Sequence, residues 1–197
     1  MTPRRLFAST LFASTLAAAL ILGLPAAAAP ASVPHWTVDA GSRLGFTGKM
    51  SGEAFNGAFR RWTAQIAFDP KNLAGSRAEV SIDVASAATG DADRDEALPT
   101  ADWFAAARFP RASFVTRGIR DVGGGRYQAI GDLTIRGVSH TVMLPFTLVI
   151  TGDTARMNGQ LALNRGAFGI GQGKWATGDT VDTQVMVTIA LTAHRVH

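Results

Sequence analysis

The feature that most constrains the fold is the stretch from Tyr127 to Ile150, YQAIGDLTIRGVSHTVMLPFTLVI. In both halves of it, apolar side chains recur at every second residue, which is the period of a β-strand with one buried face. Between the halves, Gly137 can adopt the positive φ of a tight turn. The stretch therefore predicts an antiparallel hairpin. Its inward residues are Tyr127, Ala129, Gly131, Leu133 and Ile135 on the first arm, and Val142, Leu144, Phe146, Leu148 and Ile150 on the second.

The opposite face of this hairpin is not cleanly polar, because Met143, Pro145 and Val149 lie on it. We expect that another part of the structure covers some of this face. Pro145 has no amide hydrogen to donate to a neighbouring strand, so its position predicts a strand edge or a bulge.

Together with this hairpin, the rest of the chain indicates an all-β fold with about nine short strands separated by Gly, Pro and Asp turn signals. Many short antiparallel strands predict a barrel or a sandwich. The clearest alternation lies in the strands predicted at 79–84 and 185–193. The remaining predicted strands are 36–39, 43–49, 55–59, 65–68, 112–116 and 157–163.

The segment from Gly90 to Pro110 interrupts the strand pattern. Asp91 or Asp93 can cap a short helix, and Pro99 interrupts it. Three aromatic residues in the segment are too apolar for a solvated loop, so we expect a short helical segment that closes one end of the barrel. These residues are Trp103, Phe104 and Phe109.

A second unusual segment, Arg165 to Trp175, reads RGAFGIGQGKW. Its four glycines disfavour a regular strand or helix and allow the backbone to pass close to other groups. Phe168 and Trp175 remain as apolar anchors, which favours a mouth of the barrel here.

The N-terminus has the pattern of a secretory signal peptide. Arg4 and Arg5 precede an uncharged apolar run from Leu6 to Leu24, and an alanine-rich exit follows. We predict that residues 1–31 are cleaved and that residues 32–197 form one periplasmic domain. A retained membrane anchor is the alternative.

Composition excludes several classes of function. The net charge of +4 includes Arg4 and Arg5, so the mature chain would carry +2, and no dense basic face for nucleic acid is visible. The chain has no cysteine, which excludes disulfides and thiolate metal sites.

The motifs of common enzymes fail in detail. Asp91, Asp93 and Asp95 imitate the start of a calcium loop, but Glu96 occupies the position that requires glycine. Gly137 to Thr141 resembles a nucleophile elbow without its second glycine. We therefore predict no catalytic residues, no metal ligands and no enzyme activity.

The chain resembles the YceI-like family of exported polyisoprenoid-binding proteins, in the branch associated with cytochrome b561. The resemblance covers the whole mature chain and depends on the order and spacing of its pieces. These are Val38-Asp39 with Ser42 and Phe46, Phe55-x-Gly57-x-Phe59, Ile66-x-Phe68-Asp69-Pro70, Thr89-Gly90 with Arg94-Asp95, Trp103-Phe104, Phe109-Pro110, Gly131-x-Leu133-Thr134-Ile135-Arg136-Gly137 and Arg165-x-x-Phe168-Gly169-x-Gly171.

The resemblance implies an extended, lipocalin-like antiparallel β-barrel whose apolar interior holds an isoprenoid chain, such as the tail of a quinone, without a covalent cofactor. Under that interpretation the inward residues of the strands contact the chain, and aromatic residues of the two unusual segments form the mouth and lid. The expected chain-contacting residues are Phe46, Phe59, Val80, Ile82, Leu133, Phe146, Val187 and Ile189, and those of the mouth and lid are Trp103, Phe104, Phe168 and Trp175.

The leading prediction is thus a non-catalytic periplasmic carrier of a long isoprenoid lipid. A barrel for a fatty acid or fatty amide is one alternative, and a filled barrel that docks to a membrane cytochrome b561 is another. Whether two copies of the chain form a homodimer stays open.

Overall fold

The computed structural model describes residues 32–197, so the predicted signal peptide lies outside the described residues. Within them, no helix is long and apolar enough to cross a membrane. The described part contains eleven strands and one α-helix: β1 His35–Val38, β2 Arg43–Met50, β3 Glu53–Phe59, β4 Trp62–Ala67, β5 Arg77–Asp83, β6 Ala87–Ala88, α1 Ala92–Ala97, β7 Arg111–Gly123, β8 Arg126–Ile135, β9 Val138–Thr151, β10 Thr154–Asn164 and β11 Gln184–Arg195.

Eight of these strands close into an antiparallel barrel, which confirms the predicted fold class. The order around the barrel is β1, β4, β5, β7, β8, β9, β10 and β11, and β11 pairs with β1 to complete the ring. The first and last strands of the described chain close the barrel, with Trp36 opposite Arg195 and Val38 opposite Ala193. Closing the sheet removes the exposed edges that an open sheet would present.

The remaining strands extend the barrel wall near one opening. β2 pairs with the first half of β11, and β3 follows β2 through a tight turn at Ser51–Gly52. The two-residue strand β6 then pairs with the end of β3.

The central hairpin forms as predicted, from β8 and β9. Arg136 and Gly137 both have positive φ, 52° and 74°, which is the conformation of a two-residue type I′ turn. Ile135 therefore lies opposite Val138, and Tyr127 lies opposite Phe146 at the far end. This register places the predicted apolar residues on the inner face.

The barrel interior contains two apolar clusters, one toward each end. The first lies beneath the connections after β5 and β10 and includes Phe46, Phe104 and Phe168. The second lies at the opposite end and includes Trp36, Phe68 and Tyr127. Aromatic side chains therefore fill this end, and the Trp36 indole nitrogen is held there by donating to the Phe68 carbonyl at 2.9 Å.

Candidate functional site

A cavity of about 220 Å³ lies inside the barrel and extends between the two clusters. Phe104 borders it at one end, and Trp36 and Phe68 border it at the other. Almost all of the side chains around it are apolar, because each strand directs its alternate apolar residues inward. Such a cavity can accommodate an apolar chain, and the charged residue among those that border it is Arg77, which is itself exposed.

Seven of the eight residues predicted to contact a chain border this cavity. They are Phe59, Val80, Ile82, Leu133, Phe146, Val187 and Ile189. The other one, Phe46, is buried in the first cluster, where its ring lies against Phe59 with the centroids 5.5 Å apart. Phe46 also covers Gly57 on the facing strand and is thus a packing residue rather than a wall of the cavity. That the seven residues bordering the cavity contact a ligand stays a prediction.

The sequence interpretation missed several residues of the cavity wall. Ile119 is an example: the register of β7 against β8 shifts between Thr116 and Gly118, so an extra residue interrupts the alternation. No local signal in the sequence marks this bulge except the glycine itself. Leu161, Leu163 and Leu191 also border the cavity, as does Leu144, which the hairpin pattern placed on the inner face without naming it as a ligand contact.

The segment after α1 closes the barrel end, whereas α1 itself buries no residue. Phe104 is 8% exposed and meets Phe59 edge to face, with ring centroids 5.8 Å apart. The lid is thus residues 98–109, which follow the helix. The helix serves to start the segment, with the Asp91 side chain accepting from the Arg94 amide at its N-terminus.

Arg136, in the turn of the central hairpin, holds the lid from the barrel side. Its Nη1 donates to the carbonyl of Ala101 at 2.7 Å and also to the carbonyl of Trp103. The Asp102 carbonyl accepts from the amides of Gly171 and Gln172, both at 2.8 Å. The lid is therefore bonded through its backbone to the hairpin and to the glycine-rich loop.

Arg165 organises this loop and is only 4% exposed. Its guanidinium donates to the carbonyls of Ile170, Trp175, Val181 and Asp182 at 2.6–2.9 Å. Burial lowers the pKa of the guanidinium below its ordinary value, and the charge of Asp182 opposes this shift.

The other two predicted mouth residues have different surroundings. Phe168 is 2% exposed and contacts the His140 ring edge to face at 5.0 Å. Trp175 is partly exposed and lies 5.7 Å from Trp103, centroid to centroid. Of the four mouth residues, Phe104 alone borders the cavity directly.

Within residues 32–197, no three His, Cys, Asp or Glu side chains lie close enough together to hold a metal ion. The candidate site is therefore the apolar cavity and the lid that closes it.

A closed antiparallel barrel around an apolar cavity, with a lid over one end, places the protein among lipocalin-like barrels. Comparison with known proteins assigns it within that class. Residues 36–193 match the YceI-like domain, and the chain belongs to the YceI-like family. The association with the cytochrome b561 branch is a finer assignment that the match leaves open.

Curated relatives agree with this assignment. A UPF0312 protein of Pseudomonas savastanoi is 30% identical over 136 residues, which are 66% of this chain and 70% of that protein. A UPF0312 protein of Vibrio parahaemolyticus is 31% identical over 136 residues, covering 68% of this chain and 72% of that protein.

Solved structures share the fold. BcnA of Burkholderia cenocepacia superposes with a TM-score of 0.76 at 35% identity, covering 79% of this chain and 98% of BcnA. A polyisoprenoid-binding domain from Saccharophagus degradans, implicated in plant cell wall breakdown, superposes with a TM-score of 0.66 at 14% identity, covering 82% of this chain and 98% of that domain. At that identity the second likeness supports the fold alone.

Proposed function

We propose that this protein is an exported, non-catalytic carrier that holds the tail of a long isoprenoid lipid, such as a polyisoprenoid quinone, inside the barrel. The observation that carries the proposal is the apolar cavity between Phe104 at one end and Trp36 at the other. The ligand class is the one that the resemblance to the YceI-like family implies, and a polyisoprenoid-binding domain of S. degradans has the same fold.

The size of the cavity favours a thin chain over a compact ligand. About 220 Å³ is below the roughly 300–1,000 Å³ of common small-molecule sites. Each buried CH₂ contributes roughly 0.8 kcal/mol, so a five-carbon isoprene unit contributes on the order of 3 kcal/mol before ordering costs. A few units are enough for retention without a covalent bond.

The polar end of the ligand would stay outside the apolar part of the barrel, because an unpaired polar group there would lose its hydration. The proposed compartment is the periplasm, where the carrier would deliver its ligand to a membrane partner such as a cytochrome b561. A cavity in the barrel favours this carrier function over a filled barrel that only docks to the cytochrome.

Mass spectrometry of an organic extract of the purified protein tests the proposal. We expect an isoprenoid lipid in the extract, whereas a fatty acid or fatty amide would assign the cavity to the alternative ligand class. A wild-type protein that carries no lipid and takes up neither a quinone nor an isoprenol would contradict the carrier function.

A matched pair of variants locates the ligand. Val187 borders the cavity, and its neighbour Met186 points outward from the same strand and is 38% exposed. Val187→Trp should exclude the lipid from a folded barrel, while Met186→Trp should retain it. Circular dichroism of both variants reports folding, and equal lipid content in the two would place the ligand elsewhere.

A further inference from the structure

β9 and β10 are paired over only part of their length. Their ladder runs from Thr151 opposite Thr154 to Phe146 opposite Gly159. Beyond it, residues 138–145 of β9 and 160–164 of β10 continue as strands, each held by its other neighbour. Among the described residues, no backbone pair joins these two stretches. The barrel wall therefore has a seam between them.

Pro145 explains why the ladder stops where it does. In a two-residue hairpin the residues that flank the turn form a hydrogen-bonded pair, and such pairs recur at every second position. Counting from Thr151 and Thr154, the next hydrogen-bonded pair after Thr147 and Asn158 would be Pro145 and Gln160. Proline has no N–H, so this pair cannot form both of its hydrogen bonds.

The β8–β9 hairpin, at the other end of β9, assigns the same residues of β9 to hydrogen bonding with β10. Ile135 and Val138 flank its turn, so the even-numbered residues of β9 form the hydrogen-bonded pairs with β8. The odd-numbered residues, among them Thr141 and Met143, therefore direct their amides and carbonyls toward β10, into the seam.

Contacts at the lid end bound the seam. The His140 Nε2 lies 3.0 Å from the Ala167 carbonyl oxygen, and the His140 ring contacts Phe168. The β5–β7 ladder also ends before its strands do, but there a side chain bonds the backbone groups that follow the ladder. The Thr116 hydroxyl accepts from the Ala78 amide and donates to the Ala78 carbonyl.

The seam is apolar on its inner side and mixed on its outer side, where Thr141 and Gln160 are exposed near Met143. On the inner side, Leu144, Leu161 and Leu163 border the cavity. On the outer side, Met143 is 50% exposed. A groove on the outer surface reaches Pro145 and Gln160, at the end of the seam where the β9–β10 ladder stops. Phe146 borders both this groove and the inner cavity.

We propose that the isoprenoid chain enters and leaves the barrel sideways, through the seam between β9 and β10, and that Pro145 keeps this passage open. The inference rests on the proposed carrier function. Leaving by either end would require displacement of buried aromatic residues, Phe104 with its bonded lid or Trp36 with Phe68. The seam requires no backbone hydrogen bond between the strands to break, and the leucines on its inner side suit a chain that water rejects.

Cross-linking tests the passage, and the absence of native cysteine makes the labelling clean. Met143→Cys with Ala162→Cys places one thiol on each side of the seam, and a short bismaleimide joins them. The matched control is Val149→Cys with Arg156→Cys, which lie opposite each other in the paired part of the same strands. A third pair, Asp102→Cys with Gln172→Cys, joins the lid to the glycine-rich loop.

Each protein is loaded with radiolabelled geranylgeraniol, and transfer to phosphatidylcholine vesicles is followed. We expect the seam cross-link to slow transfer by about tenfold or more, because it obstructs release, the step in which related complexes mainly differ. The control cross-link should leave the rate unchanged. Slow transfer with the lid cross-link and normal transfer with the seam cross-link would overturn the inference in favour of passage beneath the lid.

Pro145→Thr tests the cause of the seam, because it restores the missing N–H. We expect β9 and β10 to pair further, so that the amides of Thr141 and Met143 become protected from hydrogen exchange and lipid transfer slows. Protection of these amides already in the wild-type monomer would contradict an open seam, and protection that depends on protein concentration would point instead to a second chain paired with β9.

The outcomes separate this inference from the proposed function. A wild-type protein that takes up no geranylgeraniol contradicts the carrier function itself. A protein that loads normally but releases lipid equally fast with the seam and the control cross-links retains the carrier function and loses the lateral passage.

Discussion

The guanidinium carbon of Arg165 lies 5.3 Å from the centroid of the Trp103 ring, which joins the glycine-rich loop to the lid. The two residues are far apart in sequence, and each is also held through backbone groups: Arg165 donates to four carbonyls, and the Trp103 carbonyl accepts from Arg136. A cation over an aromatic face adds stability that depends on this geometry. The lid and the loop are therefore expected to behave as one unit.

Arg165→Ala should destabilise the protein by about 2–4 kcal/mol, since it leaves buried carbonyls without donors. Arg165→Lys should recover only part of the loss, because an ammonium group has three donors and lacks the planar fork. Urea unfolding measures both. Arg156→Ala, at an exposed position on β10, is the control, and equal stability of Arg165→Ala and Arg156→Ala would refute the role of Arg165.

Gly57→Ala should destabilise the barrel by about 1–3 kcal/mol through overpacking. A Cβ at Gly57 would lie 2.2 Å from the Cζ of Phe46, whose ring fills the space over the glycine. Combining Gly57→Ala with Phe46→Leu should cost less than the sum of the single variants, because the clash disappears. Gly41→Ala is the control, since a Cβ there meets nothing within 4 Å. Additive effects of the two changes would show that the ring does not occupy this space.

Asp95→Asn should reduce the dependence of stability on acid pH. The Asp95 carboxylate accepts from the Thr89 amide at 2.6 Å and from the Thr89 hydroxyl at 2.8 Å, and these bonds hold its pKa below the ordinary value of 3.8. A lowered folded-state pKa stabilises the fold above the unfolded value, and this contribution is lost as pH falls below about 3.8 and through the folded-state pKa.

Urea unfolding at neutral pH and at pH about 3 measures this effect. The Asn variant should lose less stability on acidification than the wild type. Asp93→Asn removes the same charge from the same helix, but Thr89 donates no hydrogen bond to Asp93, so this variant separates the effect of the Thr89 bonds from that of charge alone. If the Asp95 variant keeps the wild-type dependence, the carboxylate does not contribute as described.

The mature protein should begin between Ala27 and Pro34, because small residues precede the predicted cleavage site. Intact mass of the protein recovered from the periplasmic fraction checks this. Recovery of a chain that retains Met1 in the membrane fraction would contradict cleavage and favour the retained anchor.

The sequence by itself determined most of the strands, the turn at Gly137 and the inward face of the hairpin, because side chains alternate strictly along a strand. It missed β6, and it predicted only residues 112–116 of β7, which continues to Gly123. It also determined the family, through motifs whose order and spacing span the mature chain. It could not distinguish Phe59, which borders the cavity, from Phe46, which fills the space over Gly57, because both have the same alternation.

Only the tertiary structure decided which inward residues face empty space and where the wall is open. The bulge in β7 brings Ile119 to the cavity, and burial of Arg165 depends on carbonyls from three parts of one loop. The sequence indicated that Pro145 marks a strand edge. Its consequence, an unpaired seam beside the cavity, depends on the register of two hairpins that meet in β9, and register is a property of the folded pair rather than of either strand alone.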